Sequence, residues 1–377
     1  MPPEISGLFS AQECRATARA IASIQQPDGA IPWEGGRHVD PWNHVEAAMA
    51  LDVGGLHSAA ERAYAWLAAG QRPDGSWAAA YREGAVDDAG TDANFCAYVA
   101  TGAWHHFLAT ADCAFLVAVW PVLERAVEFV LELQRPGGEV LWARDRAGRA
   151  WPGALITSSA SIFKSLECAL AVARCLGHSR VRWLTAHRLL GEALAKRPES
   201  FEPKERYAMD WYYPVLAGAI RGEAADARLE ARWEEFVVPG LGVRCVSDRP
   251  WVTVAETCEL VLALDALGRS GQARRVFSWI GHLRDEDGRY WTGATFPEGE
   301  LWPEERTTWT SAAVLLAADA LCAQSRCSGL FKHPERGRRG NLVELPRPER
   351  PPHDVEGRLA AGGGVLEDVV DDEEAAG

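Results

Sequence analysis

The chain lacks paired cysteines, a long apolar run and any excess of basic charge, and each absence removes a class of function. Its nine cysteines are an odd number scattered singly, as at Cys96, Cys168, Cys175 and Cys258, with no Cys-x-x-Cys pair. That pattern reads as buried free thiols in a reducing cytosol, not as a disulfide framework or a structural zinc site. No metal and no cofactor are expected. No run of eighteen apolar residues occurs, so no membrane span is predicted. The opening MPPEISGLFS has neither the basic n-region nor the apolar h-region of a signal peptide, and a cytoplasmic location is expected. A formal net charge of −14 excludes a nucleic-acid surface, which needs clustered Lys and Arg. It suits a neutral or cationic small molecule, a sugar or a neutral lipid. The oligomeric state stays open.

What the chain does have is tryptophan, sixteen of them, and an internal repeat. Its 377 residues would otherwise suggest two or three domains, but a closed ring of repeats needs only one core. Arg62-Ala63-x-x-Trp66-Leu67 leads to Gln71-Arg-Pro-Asp-Gly75-Ser-Trp77. Arg19-Ala20-Ile21 leads to Gln26-Pro-Asp-Gly29 and Trp33, and Arg125-Ala126-x-x-Phe129-Val130 to Gln134, Gly138 and Trp142. Arg275-Val276-Phe277-x-Trp279-Ile280 leads to Asp285, Gly288 and Trp291, without a Gln. Each segment reads as a helix with one apolar face, stopped by a turn in which proline cannot continue the helix and glycine supplies positive φ. The Gln is expected to bond to helix-end backbone, and the Trp to pack over the turn.

Between these lie Ala-rich helices that are apolar nearly all round and start with polar residues, near Pro41, Thr91, Ser158, Met209, Thr253 and Thr307. A helix apolar on all sides is a buried one. Outer helices are predicted over 10–25, 57–70, 113–134, 180–197, 224–236 and 270–284. Six outer and six inner helices in strict alternation predict an all-α fold, an (α/α)6 toroid of six helical hairpins over residues 1–331. Residues 332–377, with a basic patch at Arg336–Arg339 and an acidic end at Asp371–Glu374, have the composition of a disordered charged tail.

The Arg-Ala, aromatic-Leu, Gln, Gly-x-Trp pattern resembles the repeat of terpenoid cyclases of the squalene-cyclase type and of the catalytic subunit of protein prenyltransferases. The resemblance covers about 1–325, with 62–77 the best fit. It implies the toroid and an enzyme acting on an isoprenoid. Six-hairpin glycoside hydrolases, glucoamylase-like ones among them, use the same ring and similar turns, and 91–109 and 307–321 look as much like those enzymes. Two family motifs are missing. No Asp-x-Asp-Asp acid motif occurs, the nearest stretch being Val86–Asp92, and no Asp-x-Cys with an inner-helix His offers the prenyltransferase zinc set.

In such a ring the starts of the inner helices line one mouth, where helix dipoles gather. The candidate catalytic groups placed there are Asp88, Asp92, Glu256 and Glu305, with Asp210 as an orienting group. The candidate substrate-binding residues are Trp42, His44, Glu46, Asn94 and Lys164, together with Trp211, Tyr212, Tyr213, Trp251 and Trp309. Aromatic rings stabilise carbocations by cation–π attraction; they also stack on sugars while two carboxylates work as acid and base. The reading taken from the sequence is a prenyltransferase/terpenoid-cyclase-like enzyme, with a glycoside hydrolase or other carbohydrate-active enzyme as the alternative. Hydroxyl and amide groups at Asn43, Asn94, Ser158, Ser159 and Thr253 favour that alternative. A non-catalytic binding toroid is a third reading, and it requires that no carboxylate be strongly perturbed.

Overall fold

Local capping chemistry decides where the helices begin. Ser10 and Glu13 form a reciprocal capping box at the start of α1 (Ala11–Ser23), which satisfies two of the helix's orphan donors. Asp40 caps α2 (Pro41–Val53), whose first position is the proline that suits a helix start. Asp92 caps α4 (Ala93–Thr110) and Asp112 caps α5 (Cys113–Glu132). The computed structural model describes residues 2–333. Most of the segment read as a tail, from residue 334 on, lies outside the described residues.

The remaining helices are α3 (His57–Gly70), α6 (Ile156–Cys175), α7 (Val181–Lys196), α8 (Ala208–Leu216), α9 (Gly222–Ala231), a single turn α10 (Trp233–Phe236), α11 (Val254–Ala266), α12 (Ser270–Phe277) and α13 (Thr308–Cys322). Helices α2, α4, α6, α8, α11 and α13 pack each against the next, and α13 returns to α2, so the inner ring closes. The outer helices α1, α3, α5, α7, α9 and α12 each pack on the inner helix of their own hairpin. This is the predicted (α/α)6 toroid. The two sets differ as their sequences require. Residues 254–265 of α11 are all buried, whereas α7 buries only Trp183, Ala186, Leu190, Ala193 and Leu194, a one-sided stripe. Helix α6 is long and apolar enough to cross a membrane by length and composition, but most of it is buried inside the ring, as a core helix would be.

The repeat turns out to be a clamp between neighbouring hairpins. Gln71 Nε2 donates to Gly75 O at 2.9 Å and to Val122 O, on the next outer helix, at 2.8 Å. Gln134 does the same with Gly138 O and Ala186 O. In the first repeat the working residue is Gln25, which reaches Gly29 O and Ala59 O, and not the expected Gln26. The spacing from Gln to Gly is then four residues in all three copies. The fourth turn has no Gln; there Thr17 Oγ1 of α1 donates to Gly288 O at 2.7 Å, joining the last hairpin to the first.

The sequence reading missed the short strands, which edge the mouth. β1 (Ala80–Arg82) and β2 (Ala85–Asp88) form a hairpin; β3 (Thr91–Asp92) pairs antiparallel with β4 (Ala143–Arg144). β5 (Val237–Val238), β6 (Gly242–Arg244), β7 (Trp251–Thr253) and β8 (Gly293–Thr295) make an antiparallel sheet in that order. Strands of two to four residues leave no alternation long enough to recognise.

The opposite end of the ring is sealed by polar pairs. Asp52 of α2 accepts from His106 at 2.9 Å and from His57 at 2.9 Å. Lys332 pairs with Asp265 at 3.0 Å, and His333 lies 3.3 Å from Leu216 O. The packed body therefore runs past the expected boundary at residue 331.

Candidate active site

The inner helices present their side chains in layers, because each starts at the same mouth. The sixth residues of α2, α4, α6, α8 and α11 are Glu46, Tyr98, Ser161, Tyr213 and Glu259, all buried. One and a half turns below the mouth, or about 8 Å, they form a floor. Tyr98 OH lies 3.5 Å from Glu46 Oε2, and Tyr212 OH donates to Glu259 Oε2. Burial raises the Glu46 carboxyl to about 8, with the charge of Asp40 adding to it. Burial also drives Glu259 well above the carboxylate range, reinforced by Glu46 and Glu256. Two floor carboxyls are thus held in the protonated form.

Above the floor lies the rim. The second and third positions of the inner helices supply Trp42, Asn43, Asn94, Phe95, Ser158, Glu256 and Trp309. Trp42 lies 5.9 Å from Trp309 and 6.3 Å from Phe95, and meets Tyr98 edge-on. With Trp33, His38, Asp40 and Asn43, the rings of Trp42, Phe95 and Trp309 line a pocket of about 340 Å³. A second cleft, of about 650 Å³, takes in Asp88, Asp92, Phe95, Arg144, Trp142 and Trp151. Ala79, Asp88 and Phe95 belong to both, so the two are continuous. Several buried polar atoms at these helix starts have no protein partner, among them Asn43 Oδ1, Asn94 Oδ1, Ser158 Oγ, Ser159 Oγ, Thr253 Oγ1 and Trp309 Nε1. Folded proteins pair nearly all such atoms, so a cluster of exceptions marks a place prepared for a polar ligand.

Asp92 sits at the junction of rim and cleft. Its Oδ1 accepts from the backbone N–H of Asn94 at 2.7 Å and of Phe95 at 3.2 Å. Burial nevertheless raises the carboxyl to about 7, with the Asp40 charge helping. Asp40 is itself raised by burial, against hydrogen bonds from Asn43 and the nearby His38. Glu256 is buried in the first turn of α11, with the Cys245 thiol beside it. In the closed ring α4 and α11 stand opposite one another, which puts Asp92 and Glu256 on opposite sides of the mouth.

The other expected site residues divide clearly. Asp88 is half-exposed at the cleft edge, bonded to Gly90 N and paired with Arg146 at 3.3 Å, and the Gly90 bond holds its carboxyl low. Glu305 accepts from Trp33 Nε1 and Arg37, both at 3.2 Å, which fixes the Trp33 ring at the mouth. Trp251 lies on β7, with its ring against Trp302. Asp210 is used structurally: it accepts from Thr157 N and Oγ1 and ties α8 to the start of α6.

Three expected binding residues do not face the cavity. His44 is buried between Ile31 N at 3.0 Å and Ala63 O at 2.9 Å, against Trp66, and burial lowers it to about 4. It fastens the loop before α2 to α3. Lys164 Nζ reaches Glu167 at 2.8 Å and Leu330 O at 3.3 Å, well below the mouth. Trp211 packs on Phe236 and donates to Arg228 O, filling the space between α8 and α9. All three are on the right helices, but 3.6-residue periodicity turns His44 and Trp211 away, whereas Lys164, three residues after Ser161, shares the floor's face and lies a turn deeper. The groups left out of the expected site, Tyr98, Phe95, Trp33, Trp142 and Trp151, include one that helix register alone could have found, since Tyr98 shares the sixth position with Glu46.

No family model matches the chain. Solved structures share the fold. They include D-mannose isomerase (10% identical, TM-score 0.65, covering 83% of this chain and 97% of that one) and a glycosidase in complex with glucose (15%, 0.65, 84% and 99%). A third is the GH63 mannosylglycerate hydrolase of Thermus thermophilus in complex with glucose (13%, 0.63, 80% and 99%). At these identities they speak for the toroid alone. One relative is far nearer: the MMP endo-(1,4)-3-O-methyl-α-D-mannosidase of Mycolicibacterium hassiacum (strain DSM 44199 / CIP 105218 / JCM 12690 / 3849) is 54% identical over 345 residues, which is 92% of this chain and 93% of that protein. This overturns the prenyltransferase/terpenoid-cyclase expectation and supports the carbohydrate alternative. The repeat that suggested isoprenoid chemistry encodes the Gln–Gly clamp of the ring, which any enzyme built on that ring can use. The chain is an enzyme of the glycoside hydrolase class and belongs to the family of that endo-mannosidase.

Proposed function

We propose that the protein hydrolyses internal α-(1,4) bonds in chains of 3-O-methyl-α-D-mannosyl units, the activity that the name of its 54% identical relative describes. The observation that carries this reading is the group of buried, unpartnered amide and hydroxyl atoms at Asn43, Asn94, Ser158 and Thr253, at the same inner-helix starts that supply Trp42, Phe95 and Trp309. Sugar hydroxyls need such partners and sugar faces need such rings; an isoprenoid needs only the rings. The methyl ether of the substrate adds apolar surface, which suits a tryptophan-lined pocket.

The chemistry assigned to the rim is acid–base hydrolysis. Asp92, whose carboxyl burial raises to about 7, donates its proton to the bridging oxygen as the bond from C1 to that oxygen breaks. Glu256, across the ring, takes a proton from a water whose oxygen adds to C1 from the opposite face. Helices packed about 8–10 Å apart in a six-membered ring put facing axes roughly 16–20 Å apart. Subtracting a backbone radius of about 2.3 Å on each side leaves roughly 11–15 Å for two carboxylate side chains and a gap. That favours the wider spacing of inverting enzymes, about 6.5–9.5 Å, over the retaining one of about 5–5.5 Å. The perturbed Asp92 and Glu46 also count against a purely binding role.

The experiment is incubation with a methylmannose polysaccharide while the new reducing ends are followed by NMR. Fresh product in the β configuration is expected from an α-linked substrate. No cleavage of such chains would end the proposal, and an α product would replace the inverting geometry with a retaining one.

A further inference from the structure

Two exposed tryptophans stand at the rim, outside the pocket that holds the reacting sugar. Trp151 is 50% exposed and Trp302 is 52% exposed, the kind of large ring a soluble protein ordinarily covers. Each lies against a second tryptophan: Trp151 is tilted on Trp142 at 5.8 Å, and Trp302 meets Trp251 edge-on at 4.6 Å. Each is held by backbone pairing. Trp151 N donates to Ala143 O at 2.9 Å, and Trp302 N donates to Gly293 O at 3.0 Å.

These two pairs are placed by matching pieces of structure. Strand β4 holds Trp151 through Ala143 and pairs with β3, where Asp92 lies opposite Ala143. Strand β8 holds Trp302 through Gly293 and pairs with β7, where Thr253 lies opposite Gly293, three residues before Glu256. Each candidate carboxylate is thus joined by one strand pair to one exposed tryptophan, and the helices that follow, α4 and α11, are opposite in the ring. On the Trp151 side, the cleft is continuous with the inner pocket through Phe95 and Asp88. A single exposed apolar side chain needs no explanation. Two tryptophan pairs at opposite sides of one mouth, each tied to one half of the acid–base pair, do.

We propose that Trp151 and Trp302 are the outer platforms of one sugar-binding path that crosses the mouth, so that units of an uncharged (1,4)-linked chain are gripped on both sides of the bond that is cut. This rests on the glycosidase reading above and adds to it where the chain lies and which residues set its minimum productive length. Stacking on an indole face is tolerant of sequence and of methyl ethers, so the platforms select for chain length more than for substitution.

The test compares the full chain with Trp151→Ala, Trp302→Ala, and the ring-preserving Trp151→Phe and Trp302→Phe, on a ladder of methylmannose oligomers of defined length. Both alanine variants are expected to melt as the wild type does, since both rings are exposed. Each should lower kcat/KM on long chains by about tenfold, the size of one aromatic contact. Neither should change kcat/KM on the shortest oligomer the wild type cleaves, and the phenylalanine variants should recover most of the loss. Trp151→Ala and Trp302→Ala should also shift the product lengths in opposite directions. If either alanine variant keeps the wild-type dependence on chain length, the two-sided path is wrong even though the enzyme is a glycosidase. A wild type that cleaves no member of the ladder would instead remove the methylmannosidase reading on which the path rests.

Discussion

Glu46 and Glu259 occupy the same level of the ring on either side of α13, and the charge of Glu46 pushes the buried Glu259 carboxyl further up. Two carboxyls this close in a buried layer cannot both ionise cheaply. Their hydrogen-bonding tyrosines, Tyr98 and Tyr212, complete a floor that is neutral at neutral pH. A neutral floor under a rim that carries the charge suits an uncharged polyol above it.

The floor should leave a mark on stability. Glu46 is raised from 4.5 to about 8, so its favourable contribution is complete below about 4.5 and is lost as pH climbs through 8. Glu46→Gln imitates the protonated acid at every pH. The variant and the wild type should melt together near pH 4, and the variant should gain steadily over the wild type between pH 4.5 and 8. A gap in Tm that does not change with pH would show that Glu46 stays ionised in the fold.

Activity should separate Asp92 and Glu256 from their neighbours. Asp92→Asn keeps a helix cap, because Asn caps as well as Asp, so the fold should survive while kcat falls by about 10²–10⁴. Glu256→Gln should cost a similar factor. Glu305→Gln should chiefly raise KM, because Glu305 anchors Trp33. Steady-state kinetics on a methylmannose chain decide it: collapse of kcat in Glu305→Gln with a working Glu256→Gln would move the base to Glu305.

Asp40 gives a prediction in pH. Its negative charge helps hold Asp92 near 7, and removing it lets Asp92 ionise more readily. Asp40→Asn should therefore lower the pKa of the general acid and move the alkaline limb of the kcat/KM profile to lower pH. A variant that is inactive at all pH values would instead make Asp40 the proton donor.

What the sequence made legible was periodic. The inner and outer helices could be placed because Ala-rich, all-round apolar segments alternate with one-sided ones, and the observed α3 has the expected bounds of 57–70. The site was only half legible, and the reason is rotational. A helix start locates residues to within a turn, but His44 and Glu46, two positions apart, face opposite ways: one toward α3, the other into the ring. The rim was less legible still. Trp142 and Trp151 are brought to the mouth by β3 and β4, two residues each, which carry no pattern of their own. The substrate class was obscured for a different reason. The most repetitive feature, the Gln–Gly turn, reports how hairpins are clamped and nothing about what the cavity holds.

That clamp can be tested at its tightest point. Gly75 has φ +89°, and a Cβ there would sit 2.2 Å from Arg125 O on the neighbouring outer helix, a backbone atom that cannot swing away. Gly29 and Gly138 meet Arg62 O and Leu189 O in the same way. Gly36 shares the positive φ, +78°, but has nothing within 4 Å, so Gly36→Ala measures backbone strain alone, about 1 kcal/mol. Gly75→Ala adds a steric clash that must push α5 off the turn and break the bond from Gln71 Nε2 to Val122 O. Its cost should exceed that of Gly36→Ala by at least about 2 kcal/mol in urea denaturation. Equal costs would mean that the close approach of turn and helix plays no part in holding the ring together, and that the repeat persists in the sequence for some other reason.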